Sequence, residues 1–448
     1  MKIKLIQNLS SYFSTQVLII IFQLISVPVF LKLLGTDSYG ELIFLTTIPG
    51  FLLLGEAGFG TVVNNEVIFR VSKNKINEAN KLVVSSICLI SIIYNLISFT
   101  IIFFFYNLNY QFYYINDSEL LILFLFFWIG GFVSILFGIF QSYLRADNFH
   151  HINVYWTNFT RLIEIITPLI LLFYTKSLFI LFLLPILLRL ISFSLFLYFI
   201  KKRVVWFNFH FNHNNNLTEF VPYISKSLHY FLFTFGQGLL IQGSTWLVGY
   251  KLGNTSLVQF NTIRTLVNAG KFLLGIINNS FLPEFTKFIS KGQNIITNTL
   301  FFLSIHITFF VMVLLTSTLF IFGELIINLW TDKGILINKV FFNLLTLELL
   351  FFSFWFISSN LLVSINKHEF ISRVFAILSL FFFIITYLLI DVINITAVPV
   401  ALIIMDLFMI YYVFKYVKVE FKNIDFIDGI FNFKKSKKLL LKLLKSKN

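Results

Sequence analysis

Residues 82–106 read LVVSSICLISIIYNLISFTIIFFFY, 25 consecutive positions from Leu82 to Tyr106 without a charged side chain. A helix rises about 1.5 Å per residue and the hydrocarbon layer of a bilayer is about 30 Å thick, so the stretch is long enough to cross it. The run is continuous rather than alternating, which is the pattern of a spanning helix and not of a barrel strand. On either side lie eleven further predominantly apolar stretches of similar length: 10–34, 41–68, 120–144, 154–174, 178–200, 221–252, 257–282, 295–322, 340–363, 370–390 and 395–416. Only 12% of the 448 residues are charged and 58% are hydrophobic, with 61 Phe, whereas an average soluble domain carries about 25% charged residues. A water-soluble enzyme is excluded. The expected fold is an all-α integral membrane protein with twelve transmembrane helices.

The 34 Lys and Arg test that arrangement. With the N-terminus placed in the cytoplasm and span-end residues counted with the adjoining side, 25 of them fall in the inside set and five in the outside set, while Arg161, Arg189, Arg264 and Lys271 lie deeper within spans. Basic residues concentrate on the cytoplasmic side of membrane proteins, so both termini are expected there. The chain also repeats at an offset of 218 to 219 residues: Leu34-Gly35 matches Leu252-Gly253, Tyr12 matches Tyr230, and Gln23 matches Gln242. An even number of spans per half keeps both halves in one orientation. The expected organisation is an N-terminal six-helix half at 1–203, a cytoplasmic linker at 204–219, a C-terminal six-helix half at 220–418, and a basic amphipathic tail at 419–448. That tail is expected to lie on anionic lipid headgroups.

No catalytic set emerges. The single Cys88 excludes an intrachain disulfide and a cysteine metal site, and there is no G-x-x-x-x-G-K-[ST] phosphate loop. His150 and His151 are adjacent rather than at i, i+4 spacing, and are read with His210 and His213 as solvated side chains near cytoplasmic loops. Neither a metal nor a cofactor is expected, and no nucleic-acid partner.

What remains is charge in the wrong solvent. A Lys or Arg at bilayer depth costs about 2.5 to 3.5 kcal/mol even on lenient scales, so it must face water or a partner. Asn261, Arg264, Asn268, Lys271, Gly275 and Asn278 follow i, i+3, i+7, i+10, i+14, i+17, which at about 100° per residue confines them to one arc of roughly 100°. No acid lies on that helix between them. The face is read as lining a hydrated cavity that attracts an anion; the alternative is pairing with Glu56, Glu348 or Asp406 of other spans. Arg189 is read as a third anion contact or as a partner of Glu164, which also stands i, i+3 from Arg161. Tyr12, Gln16 and Gln23 on the first span, and Tyr230, Thr234 and Gln237 on the seventh, offer neutral hydrogen bonds of the kind sugar hydroxyls accept, although such residues also hold helices together. Glu56, Glu348 and Asp406 are candidates for binding a coupling proton or sodium ion, with a structural role equally open.

The segment Leu34-Gly35-Thr36-Asp37-Ser38-Tyr39-Gly40, followed by Leu54-Gly55-Glu56-Ala57-Gly58-Phe59-Gly60, resembles the Wzx-like polysaccharide flippases. These are bacterial transporters related to the multidrug and toxin extrusion (MATE) proteins. Glu56 stands where that family more usually has an aspartate. The resemblance implies a MATE-like alternating-access transporter in the bacterial inner membrane. It would move an undecaprenyl-diphosphate-linked oligosaccharide repeat unit from the cytoplasmic to the periplasmic leaflet for O-antigen or capsule synthesis, alongside other polysaccharide-assembly membrane proteins. The cationic face suits a diphosphate and the Gln, Asn and Tyr suit a glycan. The alternative function is cation-coupled export of small organic molecules.

Overall fold

The computed structural model describes residues 20–107, 110, 112–147, 149–208, 219–365 and 367–421. They are helical apart from short connections, with no strand among them. In chain order the helices are α1 (Ile20–Leu34), α2 (Thr36–Leu52), α3 (Phe59–Ser72), α4 (Ile76–Tyr106), α5 (Asp117–Ala146), α6 (His150–Leu171) and α7 (Leu178–Arg203). They continue with α8 (Ile224–Gly238), α9 (Ser244–Ser290), α10 (Asn294–Trp330), α11 (Lys339–Ser364), α12 (His368–Ile393) and α13 (Ala397–Glu420). The apolar stretches read from the sequence fall on these helices as far as they are described; the first begins before residue 20, and the basic tail beyond Phe421 lies outside the described residues.

Among the described residues, seven helical stretches are long and apolar enough to cross a membrane: Thr36–Ser72, Ile76–Tyr106, Asp117–Ala146, Leu178–Arg203, Asn294–Trp330, Lys339–Ser364 and Glu369–Glu420. The helices α6 and α9 are not among them, because Arg, Glu, Lys and Asn side chains interrupt their apolar runs. In a bilayer the backbone polar groups must be satisfied within the segment, which a helix does and an open strand does not. The outward surface agrees, since Phe99, Phe103, Phe173 and Phe310 are all largely exposed.

Two compact units divide between Val258 and Gln259. In the first, α5 packs on α3 and α7, and α6 packs on α7. The start of α8 lies against the α2–α3 break, where Ser227 O and Tyr230 approach the backbone of Gly58. In the second unit, α11 packs between α10 and α13, and α12 packs on α13.

The helix breaks show where local chemistry overrides periodicity. Gly35, between α1 and α2, has φ 80 and ψ 172, and Gly253, inside α9, has φ 78 and ψ 179. That region of backbone space is open essentially to glycine alone. The two positions are the Leu-Gly pair of the 218-residue offset, so one conformation recurs at one register. A Cβ would meet nothing within 4 Å at either site, hence any penalty for substitution is backbone strain alone. Gly35→Ala and Gly253→Ala are each expected to cost about 1–3 kcal/mol, seen as a lower midpoint of thermal unfolding in detergent. A midpoint equal to that of the parent protein would show that the break tolerates a side chain.

Candidate functional site

The segment containing Glu56 forms a built helix junction. After α2, residues Leu53–Glu56 tighten into a 3-10 turn, and Ala57 and Gly58 adopt left-handed φ of 48 and 72 before α3 begins at Phe59. The Glu56 carboxylate accepts the backbone N–H of Gly60. A helix start leaves its first N–H groups unsatisfied and carries a partial positive charge, so an acid is stabilising there. The glycines permit the close approach: a Cβ on Gly55 would meet the Tyr94 ring, and one on Gly60 would meet the Glu56 carboxylate. Glu56 thus has a structural task in this conformation.

In the first unit the charged centre is Arg189. Its guanidinium makes a fork onto Glu164, Nε to Oε1 at 2.5 Å and Nη2 to Oε2 at 2.7 Å. Nη1 donates to Ser134 Oγ at 2.7 Å and to the Gly130 carbonyl at 3.3 Å. Arg189 is therefore a partner of Glu164, one of the two roles the sequence left open, while Arg161 is exposed. The pair lines a cavity of about 340 Å³ together with Gln23, Ser26 and Thr46. Three prolines, Pro49, Pro168 and Pro185, also line it, each inside a helix, where the missing N–H loosens the local backbone ladder. Gln23 and Arg189 are thus brought to one cavity. Ser134 and Thr46 had no sequence signal, being single hydroxyls within apolar helices.

Elsewhere in this unit Tyr230 lies against Gly58, Thr234 is exposed and returns its hydroxyl to the Tyr230 carbonyl at 3.1 Å, and Gln237 is exposed. Tyr12 and Gln16 lie outside the described residues.

The polar face of residues 257–282 lies on the unbroken second part of α9, residues 254–290. Arg264 Nη2 donates to Asn261 Oδ1 at 3.1 Å, and the guanidinium carbon sits 4.6 Å from the Phe260 ring centre. Asn268 is exposed, and a Cβ on Gly275 would find open space, so the middle of the face borders free volume. Asn278 is tied by its carbonyl to Asn360 Nδ2 at 3.2 Å.

Lys271 takes the alternative that the sequence left open, a carboxylate partner from another helix. Its Nζ donates to Glu348 Oε1 at 2.8 Å and stands 4.5 Å from the Phe352 ring centre. The carboxylate comes from α11, out of reach of any pattern within one helix. Asp406, on α13, is fully buried, and its Oδ1 accepts the indole N–H of Trp355 at 2.8 Å. A hydrogen-bonded cation beside an exposed asparagine is suited to holding an anion, and nothing in these clusters resembles a nucleophile with its base.

The comparisons with known proteins agree with this architecture. A family model described as polysaccharide biosynthesis protein matches residues 5–289. Among curated proteins none matches. Among solved structures, the inward-facing conformation of a multidrug resistance MATE family transporter of the MOP superfamily is 13% identical at a TM-score of 0.70, covering 90% of this chain and 94% of that one. The outward-facing conformation of such a transporter is 14% identical at 0.61, covering 94% and 95%. A MOP superfamily transporter from Pyrococcus furiosus Vc1 (DSM3638), whose binding pocket of reverse polarity is taken to indicate a different function, is 12% identical at 0.57, covering 94% of each chain. At such identities the likeness establishes a shared fold. Together with the helices above, these matches make the chain a multi-pass membrane protein. It belongs to the polysaccharide biosynthesis protein family, whose members are transporters and flippases rather than enzymes, and it carries the fold of the MATE transporters.

Proposed function

We propose that this protein is a flippase. It carries an undecaprenyl-diphosphate-linked oligosaccharide repeat unit from the cytoplasmic to the periplasmic leaflet of the bacterial inner membrane, for O-antigen or capsule synthesis. Its twelve spans form two six-helix halves in the same orientation, with both termini cytoplasmic; the matching backbone at Gly35 and Gly253 supports that repeat. The observation that carries the cargo reading is the strip on α9 with Asn261, Arg264 and Asn268 beside open volume, in a chain of the polysaccharide biosynthesis family. A diphosphate is a dense anion with many acceptor oxygens, and the planar guanidinium presents several donors to it at once.

In this reading Arg264 is the principal diphosphate contact, with Lys271 as the second and Arg189 as a third where Glu164 releases it. Gln23 in the first-unit cavity, with Tyr12, Gln16, Tyr230, Thr234 and Gln237, lines the glycan path. Glu56, Glu348 and Asp406 are the acids available to a coupling ion. Other polysaccharide-assembly membrane proteins and anionic lipids at the basic tail are its proposed partners.

The deciding experiment is deletion in the source bacterium followed by analysis of glycans and their lipid carriers. The expected result is loss of the surface polysaccharide and accumulation of the undecaprenyl-linked unit on the cytoplasmic leaflet, both reversed by a plasmid copy. Normal surface glycan with raised susceptibility to small organic toxins would replace the flippase with an exporter of such molecules.

A further inference from the structure

The second unit contains a charge imbalance behind the cationic face of α9. Glu348 is 1% exposed and Asp406 is fully buried, and the two carboxyl groups, carried by the packed helices α11 and α13, interact with one another. Among the described residues one base serves both acids: Lys271, whose Nζ meets Glu348 Oε1. Trp355 supplies a neutral N–H to Asp406 Oδ1. The two remaining oxygens, Glu348 Oε2 and Asp406 Oδ2, are buried and accept no hydrogen bond from any described group.

Two ionised carboxylates facing each other away from water repel strongly, and an unmade hydrogen bond on a buried charged oxygen is costly in itself. One proton between them removes both penalties, because it turns one orphan oxygen into a donor and the other into its acceptor. The cluster then holds one carboxylate, one ammonium and one neutral acid, with zero net charge.

We propose that Glu348 and Asp406 form a proton-binding site governed by Lys271. It holds one proton while the ammonium stays on Glu348 and takes up a second when the ammonium leaves. The side chain of Lys271 is 28% exposed and belongs to the same α9 face as Arg264, so an anion on that face competes with Glu348 for it. This last step rests on the anionic cargo proposed above; the proton site rests on the buried oxygens alone. Arrival of an anion thereby loads a proton, and its departure returns Lys271 to Glu348 and expels that proton.

The other charged groups described on α10 to α13 lie elsewhere, and Lys415 and Lys418 are exposed. Glu324 pairs with Lys339, Glu369 with Arg373, and Lys367 with Glu420. His306 is buried on α10, and Asp391 is exposed near the end of α12.

The test is infrared spectroscopy of the purified full-length protein in lipid nanodiscs at neutral pH, reading the C=O stretch of protonated carboxyl groups. Glu348→Gln and Asp406→Asn are each expected to remove the same band from the wild-type spectrum, since either leaves one acid balanced by Lys271. Lys271→Gln is expected to double that band, and Lys271→Arg to restore its wild-type area. A band unchanged in Glu348→Gln and Asp406→Asn overturns the site, and these two neutral replacements decide the matter even if Lys271→Gln fails to accumulate. An unaltered band in Lys271→Gln overturns the control by Lys271. Loss of the wild-type band on adding sodium at constant pH also overturns the proposal, because the occupant would then be a metal cation. None of these outcomes depends on whether Arg264 variants export glycan, so failure here is separable from failure of the cargo reading.

Discussion

Export of surface glycan is expected to fall about 10- to 150-fold in Arg264→Ala, the equivalent of one charge-assisted hydrogen-bonded contact of about 1.5–3 kcal/mol. It is expected to be abolished in Arg264→Ala with Lys271→Ala. Arg264 contributes to the face through a guanidinium held by Asn261 Oδ1 and the Phe260 ring, next to an exposed Asn268. The fork of donors is what an ammonium lacks, so Arg264→Lys should recover only part of the activity. The measurement is the amount of surface polysaccharide normalised to protein in the membrane fraction, which should stay constant across the series. Normal export by the double variant would remove the anion role from this helix.

The second large effect concerns Arg189. Three of its nitrogens bind α5 and α6 at once, through Ser134, Gly130 and Glu164. Removing one partner of a buried ion pair leaves the other unpaired and costs about 3–5 kcal/mol when burial is complete. The side chains here are 27% and 21% exposed, so some solvent screening remains and a loss of about 2–3 kcal/mol is expected for Arg189→Ala. Glu164→Ala should lose a similar amount, and the two together much less than the sum. Thermal unfolding midpoints of the four proteins in one detergent measure that coupling. Strict additivity would mean that the fork contributes no stability and that Arg189 is available to an anion at rest.

These two arginines mark how far reading along the chain reaches. Arg264 and its neighbours were legible because helical periodicity alone places Asn261, Arg264, Asn268 and Lys271 on one face, whatever surrounds them. The same periodicity could not show that Lys271 meets Glu348, 77 positions later. For Arg189 the sequence offered Glu164 as one of two roles, and the fork onto Glu164, completed by Ser134 on the third nitrogen, selected it. The segment around Glu56 was legible as a motif, yet its task as the acceptor at the start of α3 follows from left-handed backbone at Ala57 and Gly58, which residue names alone do not specify.

Apolar run length and the scarcity of charge determined a helical membrane protein, because the cost of exposing a backbone polar group or a charge to hydrocarbon acts on each segment separately. Which acid neutralises which base was decided only by packing. Ion pairing depends on distances of about 3 Å between side chains of different helices, and no local pattern encodes such distances.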